Sequence, residues 1–247
     1  MFPIRDHNPS TRTPVVTYAL VAANILVFLW QLQFMDSDRN LMRFWEGLAL
    51  VPAEIMHGLN LQTLITSQFL HAGLGHIFGN MLFLWIFGDN LEDQMGHVGF
   101  LVFYLACGLA AAAAQILPDP YSLVPMVGAS GAIAGVMGGY LLLFPRARVD
   151  VLIILVVIFR VIPVPAWLML GIWFALQVFG SLGDMGAGGV AYWAHAGGFA
   201  AGTVLTLHIW LRRGGARFWQ RTAGHPPHPG SVYRPTTIPI VRRRKRW

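Results

Sequence analysis

The chain has 247 residues, of which 55% are hydrophobic and only 11% are Asp, Glu, Lys or Arg. That charged share is less than half the roughly 25% of a soluble domain, which excludes a water-soluble globule dispersed by surface charge, and the hydrophobic share excludes disorder over most of the length. The single cysteine, Cys107, excludes an intrachain disulfide and a cysteine-built metal cluster.

The runs free of Asp, Glu, Lys and Arg that could cross a bilayer, 18 residues or longer, are 13–35, 55–88, 94–118, 120–145, 161–183 and 185–211. They predict an all-α membrane protein with six transmembrane helices. Residues 1–14 form a polar tail ending in Thr13-Pro14, a suitable helix start. Helix 1 is expected over 15–34. Its apolar stretch outlasts the roughly 7–15 residues of a signal-peptide core and no A-x-A site closes it, so it should remain as the first helix. Loop 1, about 35–61, mixes Asp36, Asp38, Arg39, Arg43 and Glu46 with Leu41, Phe44, Trp45, Leu48 and Leu50, which suggests a segment lying in the outer interface. Residues 62–73 lead into helix 2 at 74–91. Helix 3 covers 97–117, stopped by Pro118-Asp119-Pro120, and helix 4 covers 128–145, stopped by Phe144-Pro145.

A seventh apolar run, 151–159, lies between Asp150 and Arg160. As helix it would rise about 13 Å, well short of a roughly 30 Å hydrocarbon core. Residues 149–162 are therefore expected to be an interfacial or buried loop. Helix 5 follows at 165–181. Loop 5, with Gly180, Gly183, Gly186, Gly188 and Gly189, should be mobile. Helix 6 covers 192–211. The basic, Pro- and Arg-rich tail from 212 to 247 should be disordered beyond the helix.

Arginine placement sets the expected orientation. With six spans, the N-tail, loops 2 and 4 and the C-tail share one side and carry 15 of the 17 basic residues; the other side has Arg39 and Arg43. Both termini should be cytoplasmic. Ten basic residues lie from Arg212 onward, and anionic lipid at the cytoplasmic face is the expected partner of that tail, rather than nucleic acid. This topology, with no transit peptide, suits the inner (plasma) membrane of a bacterium.

Three stretches inside these apolar runs carry polar side chains that could do chemistry. Gly128-Ala129-Ser130-Gly131 opens helix 4. Gly131, Gly135 and Gly139 form a small-residue face that close helix packing explains by itself. Ala194-His195-Ala196-Gly197-Gly198 opens helix 6, with Gly202 four residues on. An intramembrane histidine is costly and is a functional candidate. Both helices enter from the outer side, so Ser130 and His195 should lie at similar depth, within about one turn of the outer end. A serine hydroxyl becomes a nucleophile when a base is within hydrogen-bond reach. In the third stretch, His71 precedes helix 2 and His76 and Asn80 share one of its faces. They are candidate donors to a developing oxyanion; interhelical hydrogen bonding is the plainer role. Zinc peptidases need H-E-x-x-H, which is absent, so no metal is expected.

The combination of H-x-x-x-x-H-x-x-x-N in helix 2, G-A-S-G in helix 4 and A-H-x-x-G-x-x-x-G in helix 6 resembles the rhomboid intramembrane serine proteases. Gly88-x-x-x-Glu92-x-x-x-Gly96 is similar to another feature of that family. The resemblance covers about residues 15–211. It implies a six-helix bundle and a Ser–His dyad without an acidic third member. Ser130 would be the nucleophile and His195 the general base. The oxyanion would be held by the Ser130 backbone N–H, His76 and Asn80, with His71, Gly128, Gly131 and Gly198 in support. It implies no cofactor, and substrates that are single-span or other transmembrane proteins, admitted laterally beside helix 5.

One position departs from the pattern. Where some members carry a tyrosine four residues after the nucleophile, stacked on the base, this chain has Ala134, which leaves the group that orients His195 open. The rival reading is an inactive rhomboid-like protein that binds membrane helices. Such proteins usually lack the serine or the histidine, and both are present here.

Overall fold

The computed structural model describes residues 2–155, 158–183 and 191–226. Strand β1 (Phe2–Asp6) leads to helix α1 (Val15–Gln31), which tightens into a 3₁₀ turn over Leu32–Phe34. Short helices α2 (Asp38–Trp45) and α3 (Pro52–Met56) make up the first loop, and α4 (Thr63–Thr66) approaches α5 (Leu74–Met95). Then come α6 (His97–Ile116), α7 (Ser130–Leu143), strands β2 (Arg148–Leu155) and β3 (Ile158–Pro165), α8 (Ala166–Gly183), α9 (Tyr192–Arg212) and α10 (Ala216–Thr222).

The long helices α1, α5, α6, α7, α8 and α9 stand where the charge-free runs put them. Among the described residues, Val15–Phe34 and His97–Ile116 are each long and apolar enough to cross a membrane. The segments Thr63–Phe69 and Leu74–Met95, bent by 96°, would together make a third. Helix α7 sits in the middle and is buried on nearly every side, packed chiefly on α9, with α6 and α5 around it. Helix α8 lies at the edge and touches mainly α9.

The expectation of an all-helical chain needs correction at one end. Residues 149–155 and 158–162 are not a loop but lie in two paired antiparallel strands, and the N-terminal segment adds a third strand in the order β1-β2-β3. The physical reason is period. Val149 and Val151 point inward and are fully buried against the helices, in the alternation of a strand rather than of a loop. Asp150 is buried as well and takes hydrogen bonds from Arg5 (2.7 Å) and His7 (2.8 Å), which tie β1 to β2. The segment after α9 also departs from expectation. Residues 216–222 form α10, which buries Phe218 and donates the Trp219 indole N–H to Leu142 O at 3.0 Å. Gly180 and Gly183, expected in a loop, belong to α8. The expected mobility of Gly186, Gly188 and Gly189, and the expected disorder of 227–247, lie outside the described residues.

The sheet, α10 and the start of α1 meet at one end of the bundle. Tyr140 near the end of α7 donates its hydroxyl to Asp6 at 2.7 Å, and His7 N–H bonds Arg148 O. At the same end Glu92, buried, accepts from the Val16 and Thr17 backbone N–H groups (2.9 and 2.8 Å) and from the Thr17 hydroxyl (2.8 Å). Those are donors that a helix leaves unsatisfied at its start, and α1 follows Pro14 with no side-chain cap of its own. This accounts for the Gly88–Glu92–Gly96 spacing. A Cβ at Gly88 would stand 2.9 Å from Thr17 Cγ2, and Gly96 ends α5 with φ +73°.

Candidate active site

The opposite end holds the polar residues. Helix α7 begins at Ser130 and α9 at Tyr192, so Ser130 and His195 both lie in the first turn of their helices. The glycines bring them together. A Cβ at Gly198 would stand 2.1 Å from Gly131 O, and one at Gly202 would stand 2.0 Å from Gly135 O. Gly131 and Gly135 in turn leave room for Ala111 and Cys107 of α6. Backbone meets backbone along this seam, the close approach that small residues permit. With the helices so close, Ser130 Oγ lies 2.8 Å from His195 Nε2.

The His195 ring has two further neighbours, both on α8. Its Nδ1 is 2.8 Å from Gln177 Oε1, and the Trp173 ring lies 5.7 Å away, tilted by 36°. This is the partner that the sequence reading lacked. Ala134 is fully buried.

His76 sits over Gly128. A Cβ there would be 2.8 Å from His76 Cε1 and Nε2, and 3.6 Å from Ser130 Oγ. Gly128 also has φ +129°, a conformation that side chains disfavour. The Ala72 N–H donates to His76 Nδ1 at 3.3 Å, which leaves the ring hydrogen on Nε2, the atom nearest Gly128. Asn80 is buried one turn further along α5, and its Nδ2 has no partner among the described residues. His71 is fully buried, edge-on to His76 with ring centres 5.1 Å apart. Its ring nitrogens have no partner among the described residues, while Gln31 of α1 bonds both its backbone N–H and its carbonyl. Gly131 and Gly198 make the helix contact and carry no polar side chain to the site.

Beside Ser130 is a cavity of about 20 Å³ lined in part by Ser67, Gln68, Gly108, Gly128 and Gly131. That is room for one water, and Gln68 Oε1, buried at its wall, has no partner among the described residues. The arrangement thus provides a hydroxyl on an imidazole, an N–H donor close by and a small recess, mostly apolar, with the Gln68 amide at its wall. This is the equipment of acyl transfer.

The model of the Rhomboid domain matches residues 59–212. Rhomboid protein 1, mitochondrial, of Saccharomyces cerevisiae is 31% identical over 203 residues, which cover 78% of this chain and 53% of that protein. Rhomboid protease GluP of Bacillus subtilis is 34% identical over 128 residues, 52% of this chain and 24% of that protein. RHOMBOID-like protein 12, mitochondrial, of Arabidopsis thaliana is 29% identical over 223 residues, 82% of this chain and 60% of that protein. The chain therefore spans three fifths or less of each of these relatives. Mitochondrial and bacterial proteins both match, and the expectation of a bacterial inner membrane finds no support in them.

Proposed function

Since the chain belongs to the rhomboid family, a family of integral membrane proteins, we propose that it is an intramembrane serine endopeptidase that cleaves transmembrane-helix substrates. The observation that carries the reading is the 2.8 Å separation of Ser130 Oγ and His195 Nε2. All six long helices cross the bilayer, and the end that holds the sheet and α10 faces the cytoplasm. Helix α7 has 14 residues and rises only about 21 Å, against a hydrocarbon core of roughly 30 Å. That shortfall leaves room for its first residue, Ser130, to lie below the outer surface.

A substrate helix approaches laterally beside α8, the helix held to the bundle mainly by α9. Its peptide bonds are shielded by their own hydrogen bonding, so local unwinding precedes attack; Gly and Pro near the cut favour it. Ser130 attacks the carbonyl carbon while His195 Nε2 takes the hydroxyl proton. The developing oxyanion is met by the Ser130 N–H, one of the free donors at the start of α7, by His76 Nε2–H and by the Asn80 amide. His195 then gives its proton to the leaving amine, and an acyl-enzyme remains on Ser130. Water from the cavity beside Ser130, activated by His195, releases the second product. The basic residues that follow α9, Arg213, Arg217 and Arg221 among them, lie at the cytoplasmic face against anionic lipid.

The test is cleavage of a single-span protein by the detergent-solubilised chain, with product ends read by mass spectrometry. The reading expects cleavage inside or beside the apolar segment and none with Ser130→Ala; undiminished cleavage by Ser130→Ala removes Ser130 from the mechanism.

A further inference from the structure

Among the described residues, helix α8 is joined to α9 by aromatic contacts and one polar contact. Phe174 stacks on Phe199 at 4.5 Å, Trp173 lies 6.2 Å from the same ring, and the Tyr192 ring occupies the space a Cβ would need at Gly180. The polar contact is Gln177 to His195.

The chemistry of that contact is one-directional. Gln177 Nε2 donates to the Trp173 carbonyl at 3.3 Å, which turns Oε1 towards His195 Nδ1. An amide oxygen only accepts, so Nδ1 must carry the ring hydrogen. In the neutral imidazole Nε2 then holds the lone pair, and Nε2 is the atom 2.8 Å from Ser130 Oγ. The other tautomer would set two lone pairs against each other at Gln177 and present an N–H to the serine, which a base cannot use. An amide achieves this without a buried charge, whose desolvation is costly.

The geometry points to Gln177 as a positioning residue. It selects the Nδ1–H tautomer of His195, and because it rides on α8 it makes the base competent only while α8 is seated against α9. The inference rests on the Ser130–His195 reading and adds regulation to it. Lateral entry of a substrate displaces α8. A hydrogen bond of 2.8 Å is lost once the separation passes about 3.5 Å, so a shift of under 1 Å suffices. The dyad is then set again only as α8 closes on a seated helix.

Two readouts on the full chain in detergent test this, with histidine labelled in its ring nitrogens. The His195 signal is identified by its loss in His195→Ala. In the unaltered chain Nδ1 should be protonated and Nε2 bare. Gln177→Met keeps length and removes the acceptor; it should shift His195 towards the Nε2–H form. Gln177→Glu keeps an acceptor oxygen and should retain Nδ1–H. In cleavage assays Gln177→Met should lose kcat by at least about tenfold, as wrong-tautomer variants of serine proteases do, with KM little changed, and Gln177→Glu should restore most of it. Gln177→Leu serves if the Met variant does not fold. An unchanged tautomer, or an unchanged kcat, in the variant without an acceptor overturns the proposal. If the unaltered chain cleaves nothing, the protease reading fails, and the tautomer comparison still decides Gln177 by itself.

Discussion

Gly198 rests against the main chain of Gly131, so that a methyl group on Gly198 would stand 2.1 Å from the Gly131 carbonyl oxygen. Residue 131 follows the serine and residue 198 lies one turn beyond the histidine, so this contact sets how closely the two side chains approach. A carbonyl oxygen, unlike the tip of a flexible side chain, cannot swing aside. Gly198→Ala should cost about 1–3 kcal/mol, as overpacking does, and should slow labelling of Ser130 by a fluorophosphonate. Gly202→Ala meets Gly135 O at 2.0 Å one turn further from the dyad. It should destabilise as much and slow labelling less. Thermal unfolding and labelling rate in detergent, measured side by side, check both; equal labelling losses would contradict this account of the seam.

Glu92 supplies at a distance the cap that α1 lacks. Glu92→Ala leaves the half-buried Val16 N–H and the buried Thr17 N–H without an acceptor, at a cost of about 2 kcal/mol or more. Glu92→Gln keeps one acceptor oxygen and should lose less. Both effects should appear in the midpoint of thermal unfolding, while Ser130 still labels at low temperature. A Glu92→Ala chain as stable as the original would refute the role.

Burial, helped by the nearby Asp89 carboxylate, pushes Asp6 from the ordinary carboxylate value of 3.8 up to about 7, against the opposing hydrogen bond from Tyr140. The folded chain therefore holds this proton more tightly than the unfolded one. Its contribution to stability is complete below about 4 and is lost as the pH rises through about 7. The unfolding midpoint should fall from pH 5 to pH 8, and Asp6→Asn should flatten that fall. An identical slope in the variant would show that Asp6 is not the group responsible.

Asp150 is the opposite case. Its hydrogen bonds from His7 and then Arg5 hold it below the usual carboxylate range, so its contribution is present at neutral pH and is lost only as the pH falls below about 4. The Arg5 side chain is 70% exposed, so the ion pair is worth about 1 kcal/mol or less. Asp150→Ala should leave the bundle intact and loosen β1, making the chain easier to cut at Arg5 and Arg12 by trypsin. Unchanged protection of those sites would mean that backbone pairing alone holds the strand.

That Ser130 and His195 would meet was legible because each opens an apolar helix from the same side and because the three motifs together resemble one family; the structure puts Ser130 Oγ 2.8 Å from His195 Nε2. What escaped had other causes. The strands escape a membrane ruler, on which 151–159 is simply too short; a short, mostly β-branched apolar run is also what a covered strand shows, and length alone does not separate the two. Helix α10 is hidden in a basic, Gly-rich composition, and tertiary contacts give it its place, Trp219 on Leu142 O and on the Trp210 ring among them. Gln177 is one amide in an apolar helix, 18 residues from its partner. No motif marks it, because its role depends on α8 and α9 lying side by side.

The central claim is that Ser130 is a nucleophile made reactive by His195. It is tested most directly by treating the purified full chain with a fluorophosphonate and mapping the adduct by tandem mass spectrometry. The account predicts a single adduct on Ser130, absent in Ser130→Ala and lost in His195→Ala. No adduct on a folded chain, or an adduct that survives the loss of His195 undiminished, would contradict it.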